Sequence, residues 1–231
     1  MTVALHRVLV IMAHPDDPDF FCGGTLARWA DEGKEIRYLL ATSGDTGGID
    51  PTAQPRQLAT QREAEQRAAA EIIGAQELVF LRYRDGGLIS DLALRRQLVR
   101  FIRLFRPDIV VTSDPLKYYV GDRRINHPDH RAIGDAVLGA VFPAAGNHLC
   151  CPELEHVEGL APHTPREIFI AVPDQPNHQV DITAFIDRKI KAIRQHKSQF
   201  SDPEPPLARV RQRSVQEDGS YVEHFRRIIL R

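Results

Sequence analysis

Apolar and polar positions alternate in two rhythms along the first half of the chain. RVLVIMA (7–13) is a short, unbroken apolar run, the pattern of a parallel strand covered on both faces. GGTLARWADEG (23–33) changes to helical spacing, with Leu26, Trp29 and Ala30 on one face and Gly33 as the stop. EIRYLLAT (35–42) predicts a second strand, and LATQREAEQRAAAEIIG (58–74) an Ala- and Glu-rich helix closed by Gly. ELVFL (77–81) predicts a third strand, DLALRRQLVRFIRLF (91–105) an amphipathic helix stopped before Pro107, and DIVVTSD (108–114) a fourth strand. SGDTGGIDPTAQPRQ (43–57) reads as a long loop and RDGGLI (84–89) as a turn.

This alternation argues for a Rossmann-like, doubly wound, mainly parallel α/β sheet with helices on both faces. A single domain over 1–231 is expected, with a core over about 5–145 and a less regular part over about 146–231. In that part EIFIAV (167–172) predicts a strand and ITAFIDRKIKAIRQHKSQF (182–200) a helix. DPEPP (202–206) predicts a break, and YVEHFRRIIL (221–230) a short final element.

The composition, 42% hydrophobic and 26% charged over 231 residues, is that of a globular chain able to bury a sizeable core. A formal net charge of −1 gives no reason to expect nucleic acid as a partner, and RVRQR (209–213) reads as a short exposed stripe. No apolar stretch approaches the ~18–20 residues of a membrane helix, so no membrane is expected. The first apolar segment runs straight into His14 and Asp16, unlike a signal peptide. Three cysteines without a C-x-x-C spacing suit a reducing, cytoplasmic setting and give no cysteine zinc site.

Candidate chemistry lies in two clusters, AHPDD (13–17) and HPDH (127–130). His14 and Asp17 offer an imidazole and a carboxylate suited to zinc or a similar divalent ion. Asp16, between them, is placed to take a proton from an activated water. Pro128 suits a first helical turn, which sets His127 and His130 on neighbouring faces; one can ligate a metal and the other can face a substrate. Asp129 can hydrogen-bond an imidazole and fix its tautomer. The bland alternative is that these Asp residues cap helices. Both clusters and SGDTGG are expected beyond the carboxyl ends of strands, where ligands bind in such sheets. SGDTGG matches neither phosphate-binding glycine pattern and reads equally as a flexible lid. HKSQF (196–200) reads as a helix end.

VLVIMAHPDDPDFFCGGTLARWADEGKEI resembles the opening of the PIG-L/LmbE-like N-deacetylases, zinc enzymes acting on N-acetylglucosaminyl compounds. LATSGDTGG, QREAEQRAAAEIIGA, RDGGL, NHPDHRAIGDAV, KIKAIRQHKSQF and YVEHFR continue the likeness in order along most of the chain. The resemblance implies that His14, Asp17 and His130 bind zinc and that Asp16 is the general base. It implies that His127 stabilises the oxyanion or protonates the leaving amine, with Asp129 supporting His127. Arg62 and Asp85 would contact the sugar; a surface ion pair and a turn residue are the plainer alternatives. Asp19 stands where the family usually has Glu, and would cap the helix or brace a metal ligand.

The expected activity is zinc-assisted removal of an acetyl group from a small N-acetylated sugar. Iron, cobalt or manganese would also suit the donors. The alternatives are an amidase of the same family acting on a thiol–sugar conjugate, a deacetylase of secondary metabolism, and a non-catalytic sugar- or metal-binding module. The resemblance also allows a homo-oligomer, trimer or hexamer.

Overall fold

Along the first strand, β1 (Arg7–Met12), every side chain beyond Arg7 is buried, because successive residues point to opposite faces and both faces are covered. Val8, Val10 and Met12 join one apolar layer, and Leu9, Ile11 and Ala13 the other. The computed structural model describes residues 6–230; residues 1–5 and 231, the ends of the predicted domain, lie outside the described residues.

The chain continues through α1 (Asp17–Asp31), β2 (Glu35–Thr42), α2 (Pro55–Ile73), β3 (Glu77–Tyr83), α3 (Leu92–Phe105) and β4 (Ile109–Ser113). A two-stranded hairpin, β5 (Tyr119–Val120) and β6 (Arg124–Ile125), precedes α4 (Pro128–Gly139). Then follow α5 (Pro152–His156), β7 (Glu167–Ala171), β8 (His178–Asp181), α6 (Ile186–Ile193), α7 (Glu204–Ser214) and β9 (Val222–Ile229). The seven-stranded sheet has the order β3-β2-β1-β4-β7-β9-β8. β1 to β4 and β7 pair in parallel, and β9 runs antiparallel to both neighbours. The fold is therefore the expected α/β one, a mostly parallel sheet between helical layers. Strand order reverses between β1 and β4, and a crevice beyond the carboxyl ends of those strands is where such sheets take ligands.

The last third departs from expectation in three places. The helix expected over 182–200 is divided into a 3-10 turn, Thr183–Phe185, then α6, then a second 3-10 turn, Lys197–Gln199. DPEPP does not break the chain for long: Pro205 and Pro206 fall in the first turn of α7, where a missing N–H costs nothing. The final element is a full strand, held between β7 and β8. It carries Glu223, whose carboxylate accepts from the N–H groups of Gly24 and Thr25 and from Lys189 Nζ, at 3.0, 2.7 and 2.6 Å. A buried ion pair thus pins the middle of α1.

Candidate metal centre and active site

β1 ends at Met12, and the next residues turn through the rim of the sheet into α1. His14 and Asp17 are buried there, while Asp16 has the positive φ of 93°. The second cluster arrives on α4, whose first turn begins at Pro128 as expected. α4 reaches the rim because Gly134 has no Cβ: one built there would lie 2.4 Å from the Ser113 carbonyl at the end of β4.

Three ligand atoms converge. His14 Nδ1 is 3.2 Å from His130 Nε2, His130 Nε2 is 3.0 Å from Asp17 Oδ1, and His14 Nδ1 is 3.4 Å from Asp17 Oδ2. A tetrahedral ion with ligand bonds of ~2.0–2.2 Å sets its ligands about 3.3–3.6 Å apart. The remaining ring nitrogens are committed outward. His130 Nδ1 lies 3.0 Å from Asn126 Oδ1, an acceptor, so its proton sits on Nδ1 and the Nε2 lone pair faces inward. His14 Nε2 lies 3.0 Å from Asp85 Oδ1 and 3.3 Å from Asp129 Oδ2, which leaves Nδ1 facing His130 and Asp17. The donor set and its tautomers fit a divalent cation. A second grouping, His14, Asp85, His127 and Asp129, is close enough to hold a cation as well, but it uses the opposite nitrogen of His14.

The electrostatics of this cluster are lopsided. Burial would lower the basicity of His14, yet the carboxylates of Asp129, Asp17 and Asp85 raise its pKa well above the usual imidazole value. Burial would raise the Asp17 carboxyl, but the charge and hydrogen bonds of His130 and His14 hold it far below the carboxylate range. Asp85 and Asp129 are likewise lowered against their burial, chiefly by hydrogen bonds from His14, with backbone N–H groups of Thr46, Gly86 and Leu88 adding to it. Asp16 moves the other way, raised by burial, with the Arg62 guanidinium opposing. His127 is lowered by burial and then by the charge of His14.

All eight candidate site residues are brought to this rim, but three of them, and Asp19 near by, meet partners other than those expected. The carboxylate of Asp129 lies on His14 rather than behind His127, which it meets only through its backbone N–H, 3.2 Å from His127 Nδ1. Asp85 is buried against His14 and accepts from Thr46 N–H at 3.3 Å. Arg62 is 3% exposed and is no surface ion pair. Its guanidinium donates to the carbonyls of Gly44, Gly47 and Pro15 and to Asp16 Oδ2, at 3.1, 3.2, 2.7 and 3.2 Å. It crosses so close that a Cβ on Gly44, at φ 65°, would lie 2.3 Å from it. These bonds fasten residues 44–47, so the first part of SGDTGG is a pinned loop rather than a lid. Asp19 neither caps α1 nor touches a metal-ligand candidate; it accepts from Gln66 Nε2 and His196 Nε2 at 2.8 and 2.9 Å.

Gln66 and Asn126 are the site's unannounced members. Gln66 had a legible signal: with Arg62 and Glu65 it forms a polar i, i+3, i+4 stripe on a helix whose other buried positions are apolar. Asn126 directly precedes the second cluster, and its side-chain oxygen also accepts from the His127 N–H at 3.0 Å.

The fold and this rim define a class, doubly wound α/β proteins with a His and Asp cluster at the switch in strand order. The GlcNAc-PI de-N-acetylase (PIG-L) family model matches residues 9–141, and the chain belongs to that family. It is 35% identical over 196 residues to a diacetylchitobiose deacetylase of Thermococcus kodakarensis, covering 85% of this chain and 71% of the relative. It is 27% identical over 231 residues to a probable N-acetyl-alpha-D-glucosaminyl L-malate deacetylase of Bacillus anthracis, covering 94% and 92%. The structure superposes on N,N'-diacetylchitobiose deacetylase from Pyrococcus horikoshii in complex with an inhibitor with a TM-score of 0.88 at 31% identity, over 97% of this chain and 84% of that one.

Proposed function

We propose that this protein is a metal-dependent hydrolase that removes the acetyl group of an N-acetylglucosaminyl-type substrate. The observation that carries the reading is the inward-facing triangle of His14 Nδ1, His130 Nε2 and the Asp17 carboxylate, with Asp16 beside it. The names of the similar proteins supply the substrate class. His14, Asp17 and His130 hold the cation, and two imidazoles with one carboxylate favour zinc while admitting iron, cobalt or manganese. When bound, the ion supplies Lewis acidity toward water and the acetyl carbonyl.

Asp16 takes one proton from the attacking water. Its carboxyl, raised by burial, is closer in basicity to that task than an open carboxylate. The C–N bond breaks as the water oxygen is retained on the acyl carbon, Asp16 returns its proton to the departing amine, and the second water proton, left on the acyl oxygen, passes to the amine, giving acetate and the protonated amino sugar. His127 Nδ1 accepts from Asp129 N–H, so the neutral ring carries its proton on Nε2. Its lowered pKa keeps it neutral. His127 therefore serves as the N–H donor to the oxygen that gains charge, a contribution of about 3 kcal/mol. Asp129 and Asp85 hold His14, and Arg62 holds Asp16; contact of Arg62 or Asp85 with the sugar is secondary in this reading.

One observation favours a substrate with an anionic aglycone, as in the malate conjugate. A groove of about 960 Å³ opens beside His127 and His130, and Arg124, Arg209 and Arg213 line it, while Lys117 on its wall is paired with Asp174. Residues 1–231 act as one catalytic domain in this reading, supported by apolar layers on both faces of a single sheet. Exposed Leu116, Tyr119 and Ile125 around the β5–β6 hairpin offer the surface a homo-oligomer would cover. No helix among the described residues is long and apolar enough to cross a membrane, and the free thiols Cys22, Cys150 and Cys151 suit the cytoplasm.

The test measures bound metal by elemental analysis and acetate release from N-acetylglucosamine, diacetylchitobiose and N-acetylglucosaminyl malate. About one metal per chain is expected, with acetate release abolished by a chelator. Fastest turnover of the malate conjugate would select the anionic aglycone. Full metal content without acetate from any of the three would overturn the deacetylase reading.

A further inference from the structure

Asp16 is held in a backbone conformation that a non-glycine residue adopts only when its surroundings impose it. Its φ is 93° and its ψ −33°, and its side chain does not cap α1 although it stands at the N-cap position. The carboxylate is turned instead toward Arg62. Arg62 contacts the carbonyl of Pro15 and the Asp16 carboxylate. The Asp16 N–H is held separately, donating to Gln66 Oε1 at 2.6 Å.

Gln66 is fully buried, and so are the next two groups in line. Its Nε2 donates to Asp19 Oδ2 at 2.8 Å, and the same oxygen accepts from His196 Nε2 at 2.9 Å. A carboxylate can only accept, so it orients the Gln66 amide: Nε2 must face Asp19, and Oε1 is then left for Asp16. His196, just beyond α6 and 177 positions from Asp19, brings a second element to the same carboxylate oxygen. All three side chains are buried, where hydrogen bonds are stronger than in water.

We infer that Gln66, Asp19 and His196 form a buried positioning relay that holds Asp16 in its left-handed backbone conformation and so aims its carboxylate into the site. None of the three touches the triangle of His14, Asp17 and His130. Their effect on turnover passes through Asp16 and so rests on its role as base.

Gln66→Met keeps the side chain's length and removes both hydrogen bonds. Metal content and KM should stay at the wild-type level while kcat falls about 10–100-fold, the range for partners that orient an active group. The Asp16 amide resonance, or φ in a crystal structure, should show that the residue has left its positive φ. In an Asp16→Asn background the same substitution should change kcat by less than about twofold, because both act through one group. His196→Gln, which keeps a donor toward Asp19, should recover most of the kcat lost in His196→Leu.

An unmoved Asp16 with wild-type kcat in Gln66→Met would overturn the relay. So would a loss of kcat that adds in full to that of Asp16→Asn, since it would mark a general structural role. Near-normal turnover of Asp16→Asn alone would remove the base assignment, and the Asp16 resonance in Gln66→Met would still decide the relay.

Discussion

Two buried polar clusters lie at opposite ends of the same sheet, and they are built on opposite principles. At the carboxyl ends of the strands, Asp16, Asp17, Asp85 and Asp129 crowd around three histidines, with Arg62 the fixed positive charge. Toward the amino ends, Arg103 is buried at 2% exposure without needing a carboxylate. Its guanidinium donates to five carbonyls, those of Ala144, Ala145, Asn147, Cys150 and Cys151, at 2.8–3.3 Å. There a planar fork of donors meets carbonyl dipoles and every partner is satisfied, so the cluster ties the irregular segment after α4 to α3. At the rim, negative groups exceed the positive ones, so the site favours a cation and sacrifices stability without one. One cluster is complete in itself; the other is completed by what it binds.

The largest expected effect breaks the rim's chemistry without touching its charge count elsewhere. Asp16→Asn should retain bound metal and lower kcat by about 10²–10⁴, the usual range for a general base, as read by acetate release. Next, Arg103→Met should cost about 3 kcal/mol or more by stranding buried carbonyls. For a chain of this length that is a fall of ~6–12 °C in Tm, with kcat per folded molecule unchanged. Metal removal should act at the other end only. Zinc at a hundredfold excess over its Kd should stabilise by about 2.7 kcal/mol, or ~5–10 °C in Tm. That increment should be the same in Arg103→Met, measured by thermal unfolding with and without chelator; an unequal increment would mean that the two clusters are coupled.

The smallest effect concerns pH. Asp108 accepts from the N–H groups of His6 and Arg7 at 2.9 and 3.0 Å, joining the start of β4 to that of β1. Burial would raise its carboxyl, but these hydrogen bonds bring it below the usual value. A depressed carboxyl stabilises the fold above the unfolded pKa of about 3.9 and loses that contribution as pH falls through the folded value. Asp108→Asn should therefore lower stability by up to about 1 kcal/mol at pH 7. The gap from the parent should narrow as thermal unfolding is followed below the unfolded pKa of about 3.9.

Much of the rim was legible because its parts are local. β1 to β4 and their helices each carry their own periodicity, and His14, Asp17, His127 and His130 sit in short motifs at the ends of such elements. The illegible parts depend on distant partners. β8 is four residues long and exists because β9 pairs with it. The β5–β6 hairpin has two residues in each strand, too few for a period of two to be read. The protein partners of Asp129, Asp85 and Arg62 were not legible because spacing places a residue on a face but says nothing of which neighbour from another element it meets. His196 reads as part of a helix end in the sequence and is a buried group just past α6 in the fold.

The pinning of α1 by β9 also sets an order of events during synthesis. Gly24 and Thr25 receive their carboxylate from Glu223, 199 and 198 positions later. At about 5–20 residues per second, α1 leaves the ribosome roughly 10–40 s before its anchor is made. Of the residues proposed to hold the cation, His14 and Asp17 therefore emerge first, at the start of a helix that cannot be locked until β9 inserts between its neighbours, and His130 follows on α4, so metal loading belongs to the end of the protein's making rather than to its beginning.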